Sequence, residues 1–295
     1  MERDGAHHSG RVHRAYNQDD RKSQRLRKPG WKGIALEPTG SFSLTKWYLD
    51  CVTDAGEVAI VYATELCWRG ARLHLSSVLG GTEGNVRSQT SIARCRIAHV
   101  GGRITAEAPK QELSGAWEAE SAPCERTVYQ SEAGAIEWKC LQPRSCVQLR
   151  MGDRSISGLG YAECLTLTVL PWSLPLKELR WGRFVSPHDS LVWVDWKGEY
   201  NTRFAMLNGD ERELVRAAND EVVTADTRLR IGDGFTLRQG QLKRTILPDA
   251  PTLGKLLPRS LWGVKEQKWC SRGEMTSGDR SSCGWVIHEV VHWKG

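Results

Sequence analysis

Short segments of alternating apolar and polar residues recur along most of the chain and constrain its fold more than any other feature. The segment from Tyr161 to Leu170 is an example, because its large apolar residues fall on every second position. Side chains that alternate in this way lie on opposite faces of a β-strand. Such segments recur roughly every eight to twelve residues and are bounded by Gly, Pro, Asn, Asp or Ser, which predicts about sixteen to eighteen strands and an all-β fold of antiparallel barrels or sandwiches.

The number of strands favours two structural units over one. A closed barrel of about eight strands encloses one small ligand, so two such units in tandem fit a chain of 295 residues. We place the boundary within 143–157 and predict an N-terminal domain at 30–150 and a C-terminal domain at 151–295. The preceding segment, 1–29, is rich in Lys and Arg and poor in apolar residues, which predicts a disordered basic tail.

The composition is that of an ordinary globular protein, with 40% hydrophobic residues, 26% charged residues and a formal net charge of +6. No apolar run of about 18 residues and no apolar signal-peptide core occur, so the expected compartment is the cytoplasm. The basic tail adds the alternative of peripheral contact with anionic lipids. The nine cysteines lack the spacing of metal ligands, so we expect free thiols, no metal and no cofactor.

Two charged residues lie on apolar strand faces in the stretch 158–198, which also holds four of the thirteen tryptophans. Glu163 shares a face with Tyr161, and Arg183 shares a face with Trp181. A carboxylate on an apolar face is costly unless it is paired or its pKa is raised so that it stays neutral. We therefore expect Glu163 either to form a structural ion pair with Arg183 or to act as an acid.

A third strand, at 191–196, places Trp193 and Asp195 on one face. If the three strands of this stretch are neighbours, their side chains form one candidate site. The predicted catalytic residues are Tyr161, Glu163 and Arg183, and the predicted ligand-binding residues are Trp172, Trp181, Trp193 and Asp195.

Short motifs in both halves resemble those of a known family. WYLD at 47–50 precedes an Asp-x-Gly turn, and GYAE at 160–163 precedes the Trp-rich strand that contains WGRF. These motifs resemble the carotenoid hydratase (hydroxyneurosporene synthase) and AttH-like family of tandem lipocalin-like proteins. The resemblance implies two calycin-type units that share an interface and a pocket for an isoprenoid or polyketide-like molecule. In carotenoid hydratases a Tyr-x-Asp pair supplies the catalytic acid, and the matching positions here are Tyr161 and Glu163, with Glu in place of Asp.

Three functions remain open at this point. A hydratase would use neutral Glu163 to protonate a C=C bond and tryptophan faces to stabilise the carbocation. A pericyclase would orient a polyene and use Arg183 and Tyr161 to hydrogen-bond a carbonyl group. A carrier would bind a lipophile without turnover. Nucleic-acid binding is not expected, because most of the tryptophans lie on apolar strand faces as core residues do, and the oligomeric state is left open.

Overall fold

A computed structural model describes residues 42–245 and 263–293. The predicted basic tail, 1–29, lies outside these described residues. The described chain forms two antiparallel sheets, which confirms the predicted all-β fold with two units. None of the helices in the described ranges has the length or the apolar character that crossing a bilayer requires.

The first sheet has ten strands in the order β4-β3-β2-β1-β10-β9-β7-β6-β5, with β8 paired to β9. Its strands are β1 (Phe42–Val52), β2 (Val58–Trp68), β3 (Ala71–Thr82), β4 (Asn85–Ser91), β5 (Arg96–Val100), β6 (Arg103–Ala108), β7 (Leu113–Ala119), β8 (Cys124–Ser131), β9 (Gly134–Met151) and β10 (Arg154–Leu167).

The second sheet has nine strands in the order β14-β13-β12-β11-β19-β18-β17-β16-β15. Its strands are β11 (Leu176–Val185), β12 (Ser190–Gly198), β13 (Thr202–Leu207), β14 (Asp210–Arg212), β15 (Leu214–Ala217), β16 (Glu221–Thr224), β17 (Thr227–Gln241), β18 (Lys265–Ser277) and β19 (Arg280–His292). Within the described residues the helical elements are short, and they are α1 (Leu242–Thr245) and the 3₁₀ turns Pro109–Gln111 and Pro171–Ser173.

The chain passes from the first sheet to the second between β10 and β11, through the 3₁₀ turn Pro171–Ser173. Residue 150, where we predicted the domain boundary, lies in β9, one position before the end of that strand. There the two-residue turn Gly152–Asp153 joins β9 to β10, and Gly152 has the positive φ of 58° that such a turn uses. The segment in which we placed the boundary, 143–157, therefore belongs to a hairpin within one sheet.

The three strands of the central stretch are not neighbours in one sheet, which corrects the predicted arrangement. β10 pairs with β1 and β9 in the first sheet, whereas β11 and β12 pair with each other in the second. Side chains of β10 therefore meet those of β11 face to face rather than side by side.

Each sheet has an apolar core of its own, and a third core contains buried residues of both sheets. We call this third core the interface. In both sheets the first strand lies between the second strand and the last one, so that β1 lies beside β10 and β11 lies beside β19. Representative residues are Leu49, Val61 and Trp117 in the first core, Phe184, Trp193 and Leu229 in the second core, and Tyr48, Tyr161, Trp181 and Ile287 at the interface.

A candidate active site at the interface

Glu163 extends from β10 into the interface, where it is half-buried. Its Oε2 atom accepts hydrogen bonds from Tyr161 Oη and from Trp138 Nε1, each at 2.6 Å. Tyr161 lies two positions earlier on the same strand face, and Trp138 lies on the adjacent strand β9. Among the described residues no hydrogen bond reaches Oε1. The carboxyl group is thus fixed through one oxygen, and the other remains available to a ligand.

The surroundings of Glu163 favour its neutral form. Burial raises the pKa of this carboxyl above its ordinary value, because a charged group loses solvation there. Hydrogen bonds from Tyr161 and Trp138 and the charge of nearby Lys46 oppose the rise but do not cancel it. Burial also raises the pKa of Tyr161 well above that of a free tyrosine. The surroundings of Glu163 therefore favour its neutral form more than water favours that of an exposed carboxyl group.

Four aromatic rings pack edge to face beside this acid. The ring centroid of Tyr48 lies 5.0 Å from that of Trp181 and 5.4 Å from that of Tyr62. The centroids of Tyr161 and Trp181 are 5.9 Å apart. Trp181 belongs to the second sheet and the three tyrosines to the first, so the rings join the two sheets. Aromatic faces in a desolvated setting attract cations by about 2 kcal/mol.

Charged side chains surround the rings, and we call them the interface charge cluster. Its four acidic and four basic members are Asp50, Glu163, Glu266 and Glu289 together with Lys46, Arg183, Arg238 and Lys268.

Three ion pairs neutralise six members of the cluster. Asp50 pairs with Arg183, Glu266 with Arg238, and Glu289 with Lys268. The remaining two members, Lys46 and Glu163, form no ion pair within the part of the chain that the structure describes.

Glu289 and Lys268 show how such pairing changes protonation. Burial works against the ionised form of Glu289, but Lys268 and Lys46 outweigh it and lower the pKa of the carboxyl. Burial likewise opposes the charge of Lys268, and Glu289 more than restores it, so that the pKa of the ammonium group is raised. Glu289 is therefore ionised under conditions in which Glu163 still holds its proton.

All three nitrogen atoms of the Arg183 guanidinium donate hydrogen bonds. Its Nε and Nη2 atoms donate to Asp50 Oδ2 and Oδ1 at 2.9 and 2.8 Å, and its Nη1 donates to the carbonyl oxygen of Trp285 at 2.8 Å. Burial opposes the charge, but Asp50 outweighs it and raises the pKa of the guanidinium. The ion pair between Glu163 and Arg183 that the sequence allowed does not form, because Asp50 on β1 meets Arg183 across the interface.

Trp193 and Asp195 lie on the opposite face of β12 from the interface. The indole of Trp193 packs over Gly182 in the second core, where a Cβ atom on that glycine would come within 2.2 Å of the ring. Asp195 pairs with Lys197 at 3.4 Å. Trp193 and Asp195 are therefore separated from Glu163, and their predicted contact with a ligand at the same site has no support in the geometry.

Trp172 lies at the margin of the interface, in the 3₁₀ turn between the two sheets. Its ring contacts those of Trp68 and Phe42, with centroid distances of 5.2 and 6.1 Å. Of the seven predicted site residues, the structure brings Glu163 and Trp181 into contact with Tyr161, and it places Arg183 at the same interface, paired with Asp50. Their functional roles stay predictions.

Several members of the site were not singled out from the sequence. The strand β1 carries Lys46, Tyr48 and Asp50 on the face that also holds Val52, so the alternation of this segment contained a signal for two charged residues on an apolar face. Lys268 alternates in the same way with Cys270 on β18. The position of Trp138 beside Glu163 depends on the β9–β10 pairing, which the sequence alone does not give.

Two cavities, of about 470 and 620 Å³, lie elsewhere on the first sheet. Both are lined in part by exposed residues of β6 and β9, including Arg103 and Gln148. Neither contains a predicted site residue. At the interface, by contrast, the aromatic rings contact one another at centroid distances of 5.0 to 5.9 Å.

The sequence matches no protein-family model and no curated protein. Solved structures nevertheless share the fold. The crystal structure of CghA with Sch210972 aligns with a TM-score of 0.56 at 9% identity and covers 86% of this chain and 89% of that chain. A putative AttH from Nitrosomonas europaea aligns with a TM-score of 0.55 at 11% identity, covering 84% and 92% respectively. These likenesses confirm the tandem lipocalin-like fold and, at such identities, establish the fold alone.

Proposed function

We propose that the protein binds a hydrophobic polyene or isoprenoid-like molecule at the interface and adds water across one of its C=C bonds, with Glu163 as the acid. The observation that carries this proposal is the single oxygen of Glu163 held by Tyr161 and Trp138 at 2.6 Å, beside aromatic rings. A carboxylic acid kept neutral by an apolar setting is a suitable proton donor. The fold shared with CghA, whose structure contains Sch210972, supports a small-molecule ligand.

In the first step Glu163 donates its proton to one carbon of the double bond. Because Oε2 already accepts two hydrogen bonds, the proton of the acid form resides on Oε1. The electron pair of the π bond forms the new C–H bond, and the other carbon becomes a carbocation. Tyr161 and Trp138 then stabilise the carboxylate that forms, since hydrogen bonds to a charged acceptor are stronger than those to a neutral one.

In the second step water attacks the carbocation. The faces of Trp181 and Tyr48 stabilise the cation without reacting with it, because an aromatic ring attracts positive charge through its quadrupole. The Glu163 carboxylate accepts the proton released by the attacking water. One water molecule is thereby added and the acid is regenerated.

A second candidate function is the cyclisation of a bound polyene, and the position of Lys46 favours it. Lys46 lies near Glu163 and has no ion-pair partner among the described residues, so it and the neutral acid form two donors that could polarise a substrate carbonyl group. Arg183, which the sequence suggested for that contact, has its donors bound to Asp50 and Trp285. A cyclase would yield an isomer of its substrate, whereas a hydratase adds the mass of water.

The test is a paired incubation of the wild-type protein and Glu163→Gln with acyclic isoprenoids and polyenes, read by mass spectrometry. Glu118→Gln is the matched control, because Glu118 is an exposed carboxylate paired with Arg103 on the surface. We expect addition of one water by the wild type and by Glu118→Gln, and a loss of about 10²–10⁴-fold in rate for Glu163→Gln. A product that is an isomer of the substrate would contradict hydration and indicate cyclisation. A ligand that every variant retains unchanged would contradict both reactions and indicate a carrier.

A further inference from the structure

The interface charge cluster is balanced only when Glu163 is ionised. Its three ion pairs each sum to zero, which leaves the negative charge of Glu163 against the positive charge of Lys46. When Glu163 holds its proton, as the proposed acid must, the cluster carries one excess positive charge. An excess charge that is partly removed from water is less favourable unless a counterion is present. The active form of the site therefore complements a ligand with one negative charge.

The excess charge lies beside a particular ring. Lys46 Nζ on β1 and the guanidinium carbon of Arg238 on β17 both lie 5.3 Å from the ring centroid of Tyr62. Lys46 is half-buried, and the side chain of Arg238 is 11% exposed. The two cations thus lie at the same distance from one aromatic side chain, which belongs to the same ring cluster as Tyr48.

Arg238 also has an unused donor. Its Nη1 atom lies 3.6 Å from Glu266, but its buried Nε has no hydrogen-bond acceptor within the described ranges. A buried N–H group without an acceptor typically costs about 1–3 kcal/mol, so such groups are usually satisfied by protein, water or ligand. Lys46 and the Nε of Arg238 are therefore two donor groups near Tyr62 that have no acceptor or ion-pair partner among the described residues.

We propose that Lys46 and Arg238 bind the anionic end of the substrate beside Tyr62, and that the substrate is therefore a hydrophobic acid, with a carboxylate or enolate at one end and a polyene or isoprenoid chain. This inference rests on the proposed function for the hydrophobic part of the substrate. It adds that the substrate carries one negative charge and that this charge lies beside Tyr62. The chain then extends from the Tyr62 end of the ring cluster toward Tyr161 and Glu163.

The probe for the experiment is cis-parinaric acid, a fluorescent polyene carboxylate, compared with its uncharged methyl ester. Fluorescence titrations at about pH 6, where a free carboxylic acid is largely ionised and Glu163 keeps its proton more readily than at higher pH, give a dissociation constant for each. The variants are Lys46→Met, the charge-conserving Lys46→Arg and the control Lys110→Met. Lys110 is exposed, so its replacement removes the same charge from the protein far from the proposed contact.

We expect the wild type to bind the acid about ten- to a hundredfold more tightly than the ester, as a hydrogen bond to a charged group provides. Lys46→Met should bring the two constants together by weakening only the acid, Lys46→Arg should retain the preference, and Lys110→Met should leave it unchanged. Equal binding of acid and ester by the wild type, or a preference for the acid that persists in Lys46→Met, overturns the proposed anion site. Either result leaves the proposal of a hydrophobic ligand intact. Binding of neither probe by the wild type overturns both.

Discussion

Replacing Asp50 with Asn tests the buried ion pair that links the two sheets. Asn has nearly the same volume as Asp, so the change removes a charge and little else. The side chains of Arg183 and Asp50 are 1% and 0% exposed, and two hydrogen bonds of 2.9 and 2.8 Å join them. The variant therefore leaves a desolvated guanidinium without its counterion.

The expected loss follows from that geometry. Removing one partner of a buried ion pair costs about 3–5 kcal/mol, because the other charge stays buried and uncompensated. Asn can still accept one hydrogen bond from Arg183, which places the expected loss in free energy of unfolding near the lower end, about 3 kcal/mol. Since domains are stable by about 5–15 kcal/mol, this is a large fraction of the total.

A double variant and a surface control separate charge burial from general damage. Asp50→Leu with Arg183→Met removes both charges, and such replacements of a buried pair range from neutral to stabilising. The double variant loses the bond to the carbonyl of Trp285, which costs about 1–3 kcal/mol, so it should still be more stable than Asp50→Asn. Glu118→Gln breaks the exposed pair with Arg103, whose side chains are 50% and 57% exposed, and should cost less than about 1 kcal/mol.

The assay is equilibrium unfolding in urea, followed by the fluorescence of the thirteen tryptophans. A lower midpoint with an unchanged slope would report stability alone. The reasoning would be refuted by a loss for Asp50→Asn no larger than that of Glu118→Gln, or by a double variant less stable than the single one.

Four further predictions concern the site and the core. The rate of hydration should fall as pH rises through the raised pKa of Glu163, and a pH–rate profile that stays flat through deprotonation of this residue would contradict its role as acid. Because the pKa of Glu163 is raised on folding, its contribution to stability is fully present below the unfolded-state pKa of 4.5 and is lost as pH rises through the folded-state pKa. Glu163→Gln should therefore flatten the pH dependence of the free energy of unfolding between these two pKa values. Trp138→Phe removes one donor to Oε2 and should lower kcat about tenfold with little change in KM, whereas an equal rise in KM would indicate a packing role. Gly182→Ala places a methyl group against Trp193 and should destabilise the protein by about 1–3 kcal/mol, while Gly232→Ala, whose Cβ would have 3.7 Å to its nearest neighbour, should unfold at nearly the wild-type urea concentration.

Strand alternation predicted the parts of the site that depend on one strand at a time. Tyr161 and Glu163 were placed together on an apolar face because they are two positions apart, and the structure joins them by a hydrogen bond. Trp181 and Arg183 were likewise placed on one face, which is the face that meets the first sheet. These inferences need only the period of a strand.

The errors concern the relation of one strand to another. Both faces of β12 are apolar, with Val192 at the interface and Trp193 in the second core, so alternation could not tell which of two cores each face belongs to. The partner of Arg183 depended on how the two sheets face each other, and Asp50 is 133 positions away along the chain. Contacts of that kind depend on tertiary packing, about which local periodicity carries no information.

The pairing of first and last strands gives the two halves of the chain equivalent positions. Tyr48 lies opposite Glu163 on β1 and β10, and Trp181 lies opposite Glu289 on β11 and β19. The rings of Tyr48 and Trp181 then contact each other across the interface. Counterparts that meet one another in this way describe a local pseudo-twofold axis, as in an isologous dimer.

A true homodimer could not have this interface. Asp50 and Arg183 follow Tyr48 and Trp181 by two positions each, and they too meet as counterparts. In two identical subunits the same residue would stand at both positions, so like charges would face each other in a buried contact. Joining both halves in one chain lets each half differ. It permits an attractive pair on the pseudo-axis. It also lets Glu163 remain without an ion-pair partner among the described residues while its counterpart Glu289 is neutralised by Lys268, so that equivalent positions in the two halves hold one unpaired acid and one paired carboxylate.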